Sequence, residues 1–164
     1  MDNLIKLIYK AYDLIGDLTP LKIDCGKLCD KICCQGDDFG MLLFPGEEII
    51  FDGIHGFKIE ETEYMETPGL KLLLCDGECE RNLRPLACRM FPVAPDVDIN
   101  GDVSITADIR GRRMCPIWDL RHVDRNFIKA VGKAFELLAQ NKIMLDFMRL
   151  ISAEINELRR FYKK

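Results

Sequence analysis

The stretch Cys25-Gly26-Lys27-Leu28-Cys29-Asp30-Lys31-Ile32-Cys33-Cys34 holds four of the chain's eight cysteines; the others follow as Cys75, Cys79, Cys88 and Cys115. Paired short spacings are what a metal site needs. Each short pair brings two thiolates close at low loop-closure cost, and a distant pair completes the shell. Thiolates select zinc, copper(I) or an iron–sulfur cluster and disfavour magnesium or calcium. If residues 25–33 formed one continuous helix, Cys25, Cys29 and Cys33 would share a face. The outer two would then stand about 12 Å apart, at about 1.5 Å per residue. Sulfurs bound to one zinc at about 2.3 Å lie within about 4 Å of each other. Either the helix is broken, then, or the group serves two centres. Gly26 and the Gln35-Gly36 pair would permit a break, and the vicinal Cys33-Cys34 pair suits a shared role.

Working outward, the 164 residues are 48% hydrophobic and 30% charged, the composition of a globular chain long enough to bury a core without disulfides. No apolar run is long enough for a membrane span. Met1-Asp2-Asn3-Leu4-Ile5-Lys6 lacks the basic start and apolar stretch of a secretory signal, so a cytoplasmic location is expected, where thiols stay reduced. Disulfides would match the even count but not that compartment. Buried free cysteines acting as small hydrophobes would account for one or two, not for clustered pairs. Every short gap is three residues, so a C-x-x-C redox pair is absent, and so is the C-x3-C-x2-C spacing of radical iron–sulfur enzymes.

The net charge is −4, unevenly spread. Residues 121–164 carry ten basic and five acidic side chains, against thirteen and twenty-two in residues 1–120. A basic tail could meet an acidic protein partner; the simpler expectation is a solvated helix face. The net charge does not suggest a nucleic-acid binder.

Periodicity predicts one domain of α+β class: a small cysteine-rich centre (25–115) with short antiparallel strands, packed against an N-terminal helix (3–15) and C-terminal helices (122–162). Ile5, Ile8, Tyr12 and Ile15 share a helical face that Gly16 can end. Pro45-Gly46-Glu47-Glu48 is expected to turn into one short helical turn, its acids favoured by the dipole. Phe57–Glu60 and Leu70–Leu74 are expected as strands joined by a turn at Thr67-Pro68-Gly69. A hairpin is expected over 97–105, with a two-residue turn at Asn100-Gly101. Phe127, Val131, Phe135 and Leu138, then Met144, Phe147, Ile151, Ile155, Leu158 and Tyr162, mark helices with a break near Gln140-Asn141-Lys142; two antiparallel helices or one bent helix would fit.

The run Cys79-Glu80-Arg81-Asn82-Leu83-Arg84-Pro85-Leu86-Ala87-Cys88-Arg89-Met90-Phe91-Pro92 reads C-x4-R-P-x2-C-R-x-F-P. With the upstream group ending in a Cys-Cys pair, it resembles the YkgJ-type cysteine-cluster family, described as zinc- or iron-chelating. The same signature occurs in flagellin lysine-N-methylases. The resemblance spans about residues 25–115. It implies Cys25, Cys29, Cys33, Cys34, Cys75, Cys79, Cys88 and, more loosely, Cys115 as ligands of Zn²⁺ or of an iron–sulfur cluster. Arg84 and Arg89 could donate to cluster sulfurs or to carbonyls and offset thiolate charge; they could equally pair with Asp76, Glu78 and Glu80. Pro85 suits the first turn of a short helix presenting Cys88. Phe91 and Pro92 are expected to pack as a lid.

Other candidates are plainer. His55 could be a ligand, with a surface histidine as the simpler expectation, and His122 is expected as a helix cap or in a salt bridge. Arg110-Gly111-Arg112-Arg113 could bind an anion, with a solvated loop as the simpler expectation. The chain holds no G-x-G-x-x-G, Walker loop, G-x-S-x-G or H-E-x-x-H. Three functions remain open: a metal-binding protein, an enzyme modifying a protein side chain with S-adenosylmethionine as the methylase likeness implies, and a structural zinc module that docks through its helical tail. The enzyme requires a methyl-donor site for which no glycine-rich loop is present.

Overall fold

The computed structural model describes residues 2–34, 40–77 and 80–162. Helix α1 (Asp2–Ile15) buries Leu7, Ile8, Ala11 and Ile15. Gly16, at φ +50°, closes it by donating to the Tyr12 carbonyl at 2.8 Å. Helix α5 (Arg125–Leu138) starts at Asp124, whose carboxylate accepts from the Asn126 and Phe127 amides. It packs against α1 through Phe127, Val131, Ala134, Phe135 and Leu138. Asn141 then breaks the chain, its side-chain oxygen accepting from the Ile143 and Met144 amides at the start of α6 (Lys142–Tyr162). The two helices part here rather than pairing as an antiparallel hairpin: α5 packs chiefly on α1, and α6 lies across β4 (Val93–Val97). No helix among the described residues is long and apolar enough to cross a membrane.

The strands form two antiparallel sheets, giving an α+β fold. In the first, β1 (Met41–Leu42) and β2 (Phe57–Tyr64) flank β3 (Thr67–Cys75). The hairpin turn is not at Thr67-Pro68-Gly69 but at Met65-Glu66, both with positive φ, between the paired Tyr64 and Thr67. Pro68 is tolerated inside β3 because β1 reaches only Leu72 and Leu73, leaving the edge beside Pro68 open. In the second sheet β4 pairs with β5 (Val103–Ala107). This hairpin stands where expected, but its loop is longer. Residues 98–102 form it, with Asp98 Oδ1 accepting from the Asn100 and Asp102 amides. Ile99, expected to alternate in the strand, is 98% exposed at the loop.

The segment Leu42-Leu43-Phe44 links two cores. Leu42 and Phe44 enter the large core shared by α1, α5, α6 and α4 (Leu86–Met90); Leu43 turns the other way, onto Phe51 and Leu73. The Phe44 and Phe147 rings meet at 5.0 Å between centroids, tilted by 58°.

The basic run at 110–113 is solvated in part: Arg112 and Arg113 are exposed, whereas Arg110 is tied into the fold. It forms a 3₁₀ turn (Ile109–Arg113) in which Arg110 is clamped by Asp108 (2.7 Å) and Glu154 (3.0 Å). The Arg112 guanidinium lies 4.7 Å from the Tyr162 ring centroid and 6.0 Å from that of Trp118. Arg159 binds Thr106 and the Ala107 carbonyl and so ties α6 to the second sheet, while Arg125, Lys129, Lys133, Lys142, Arg149 and Arg160 stay exposed as a solvated helix face.

Candidate metal centre

The cysteine-rich segment is bent. Helix α2 (Gly26–Cys29) lasts one turn, and then Asp30 and Lys31 adopt left-handed conformations at φ 51° and 55°. A 3₁₀ turn over Ile32–Cys34 follows. Of the two arrangements open to the sequence, the broken helix is the one found. The break falls at Asp30-Lys31 rather than at Gly26; Gln35-Gly36 lies outside the described residues. The Lys31 amide donates back to the Gly26 carbonyl at 2.9 Å, which folds the segment on itself. Two consecutive non-glycine residues in this region cost about 1 kcal/mol or more each.

The fold thereby gathers several thiols. The Cys29 sulfur lies 3.9 Å from the Cys25 carbonyl oxygen, and the Cys33 and Cys34 sulfurs are 4.0 Å apart. Cys115, held in the turn after 109–113, is within electrostatic reach of Cys25 and Cys29. Burial pushes the Cys115 thiol up, and those two cysteines add to it. Burial likewise raises Cys25, with Asp24 and Cys29 adding and Arg84 opposing. Cys33 is raised by its hydrogen bond with Cys34, by desolvation, and by the charges of Cys34, Cys29 and Cys25. Crowded thiols suppress one another's ionisation, whereas a bound cation would favour the thiolates. The Cys34 carbonyl lies close to Gly77, two residues past Cys75 at the end of β3. Cys88 rides on α4 and faces Tyr12 electrostatically. All seven described cysteines are thiols; Cys79 lies outside the described residues. Among the described residues no three His, Cys, Asp or Glu side chains stand close enough to enclose one ion.

Two guanidinium groups lie within electrostatic reach of Cys25, and a third, Arg89, stands near them. Arg84 is within electrostatic reach of Cys25. Arg81, which the sequence did not single out, faces Cys25 and is pressed by Arg89 and Arg84. Its terminal nitrogen donates to the Gly16 and Leu18 carbonyls, while its Nε is buried with no hydrogen-bond partner among the described residues. Among the described residues Arg89 pairs with no acid (Glu78 lies outside them): it donates to the Arg84 carbonyl at 3.0 Å and the Asn82 carbonyl at 2.8 Å, and stacks 4.5 Å from the Tyr12 ring centroid. Pro85 stands one residue ahead of α4, as its N-cap. Phe91 packs against Gly111, beside Cys115. His55 and His122 are exposed, and the helix cap expected of His122 is supplied by Asp124.

A second polar cluster adjoins the first. Glu47 does not merely start α3 (Glu48–Phe51): it is fully buried. Its carboxylate accepts from the Tyr12 hydroxyl at 2.5 Å, the Leu86 amide at 2.7 Å and the Phe44 amide at 3.0 Å. The sequence signal was its place between Phe44 and the apolar Ile49-Ile50-Phe51 run.

Comparison with protein-family models, with curated proteins and with solved structures finds no match for this chain.

Proposed function

We propose that this chain binds a soft metal, as Zn²⁺ or as an iron–sulfur cluster, through its clustered thiols, as its resemblance to the YkgJ-type cysteine-cluster family implies. The observation that carries this reading is the electrostatic reach between thiols from distant parts of the chain, although no three ligands among the described residues stand close enough to enclose one ion. Cys25 and Cys29 approach Cys115 across the fold, beside Cys33 and Cys34. The donor chemistry suits the group: soft thiols, and Arg81 and Arg84 positioned to offset the negative charge that four thiolates would leave around zinc or a cluster. The buried Arg81 Nε is a donor that an anionic centre would satisfy. Cys25, Cys29, Cys33, Cys34 and Cys115 would hold the metal, with Cys75, Cys79 and Cys88 completing the ligand set that the resemblance implies. Bound metal would also offset the strain at Asp30 and Lys31. A cytoplasmic role in metal handling or as an accessory protein is consistent with reduced thiols.

The test is purification without oxygen followed by metal and acid-labile sulfide analysis. A brown protein with iron and sulfide supports a cluster, and a colourless one with zinc supports a zinc site. Metal-free protein with eight titratable thiols overturns the proposal. Cys115→Ser is expected to lower metal content and thermal stability together, because metal binding is coupled to folding. Cys88→Ser is expected to do the same, and unchanged stoichiometry would remove Cys88 from the ligands.

A further inference from the structure

We propose that Glu47 and Tyr12 form a proton-operated latch, which ties α1 and α4 to the 44–47 turn and loosens that joint when the carboxyl ionises. The joint is built from three parts of the chain. Glu47 Oε1 accepts from Tyr12 on α1 and from the amide of Leu86, the first residue of α4; Oε2 accepts from the Phe44 amide. Helix α4 has no side-chain cap of its own, since Pro85 offers neither an N–H nor a capping oxygen. Glu47 therefore satisfies the amide at its start.

Of the titratable and charged groups around the joint, Glu48 favours the proton and the Tyr12 hydroxyl the anion. Glu48 on α3 adds like charge, and Tyr12 faces from α1. From α4, Arg89 lies over the Tyr12 ring rather than on the carboxylate, and Cys88 also faces Tyr12. Burial outweighs the hydrogen bonds and pushes Glu47 up to about 7. Burial holds Tyr12 well above the ordinary phenol range, so it stays protonated and can donate or accept. In the neutral pair, the Glu47 acid donates to the Tyr12 oxygen while both backbone amides keep their acceptors. Three hydrogen bonds survive without a buried charge, but one of the two O–H groups loses its acceptor at the joint. In the ionised pair the same three donors remain, but a carboxylate sits in an enclosed site, and opening to water relieves it. The folded-state value lies above the unfolded one. The native state therefore holds the proton more tightly, and stability declines as pH rises from about 4.5 through about 7.

Carbon-13 NMR of the Glu47 carboxyl, with hydrogen exchange at the Leu86 and Phe44 amides across the same pH range, tests this. The carboxyl is expected to titrate near neutrality. Amide protection, corrected for intrinsic exchange, is expected to fall about tenfold across the midpoint. Tyr12→Phe removes a donor that favours the anion, so it should move the midpoint upward. Glu47→Gln should abolish the pH dependence of protection at both amides. Titration in the ordinary carboxylate range, or protection unchanged across the midpoint, overturns the latch. The wild-type titration decides the matter even if a variant fails to fold.

Discussion

A methyl group at Gly111 would stand 2.7 Å and 3.2 Å from Phe91 ring carbons and 3.5 Å from the Cys115 Cβ. Replacing a helical glycine by alanine ordinarily stabilises by about 0.5–1 kcal/mol. Here overpacking wins, because the obstacle is an aromatic ring seated on the turn that holds Cys115. Gly111→Ala is expected to cost about 1–3 kcal/mol, read from chemical denaturation against the parent protein. A neutral or stabilising outcome would show that Phe91 has room to move. At this scale the sequence was informative where chemistry is written in spacing. The cysteines announced themselves as pairs. Glu47, Tyr12 and Arg81 were not legible, because the burial of a polar side chain depends on what packs over it. A glutamate in a Pro-Gly-Glu-Glu turn reads first as a solvated helix start.

Helical periodicity places α1, α5 and α6 well, because a buried stripe repeats at a spacing that other structures do not share. The hairpins are harder. Strand partners and register depend on contacts between segments, and Thr67-Pro68-Gly69 carries a stronger local turn signal than Met65-Glu66, where the chain actually reverses. The positive φ values there, 49° and 59°, demand residues that enter the left-handed region cheaply. Met65→Asn with Glu66→Gly is expected to stabilise the protein by about 1 kcal/mol, measured as a rise in the denaturation midpoint. Met65 is exposed, so little packing is lost. The same physics explains the bend at Asp30-Lys31, which local sequence did not locate: neither residue prefers the left-handed region, and only the wider arrangement keeps them there.

Across the whole molecule, one apolar core joins α1, α4, α5 and α6 to the second sheet, while Leu43, Phe51 and Leu73 form a small separate cluster beneath the first. The sequence conveyed the α+β class but not this division, because Leu42, Leu43 and Phe44 read as one apolar run. Charged anchors strengthen the large core. Asp108, 5% exposed, is neutralised by Arg110, which also reaches Glu154 on α6 and so joins the second sheet's exit to the C-terminal helix. Among the described residues the first sheet has no comparable anchor: its ion pairs, Lys58 with Glu60 and Lys71 with Glu61, lie at the surface and contribute little.

That division has a consequence for how the protein comes apart. The β2–β3 ribbon rests on few buried side chains, so it can detach while the helical body stays intact. Under native conditions a protease at low concentration is expected to nick residues 57–75 first, leaving a core that still melts cooperatively. First cleavage within α5 or α6 would mean that the molecule opens as one unit. The thiols then straddle regions of unequal endurance: Cys75 belongs to the part that yields early, Cys115 to the part that holds.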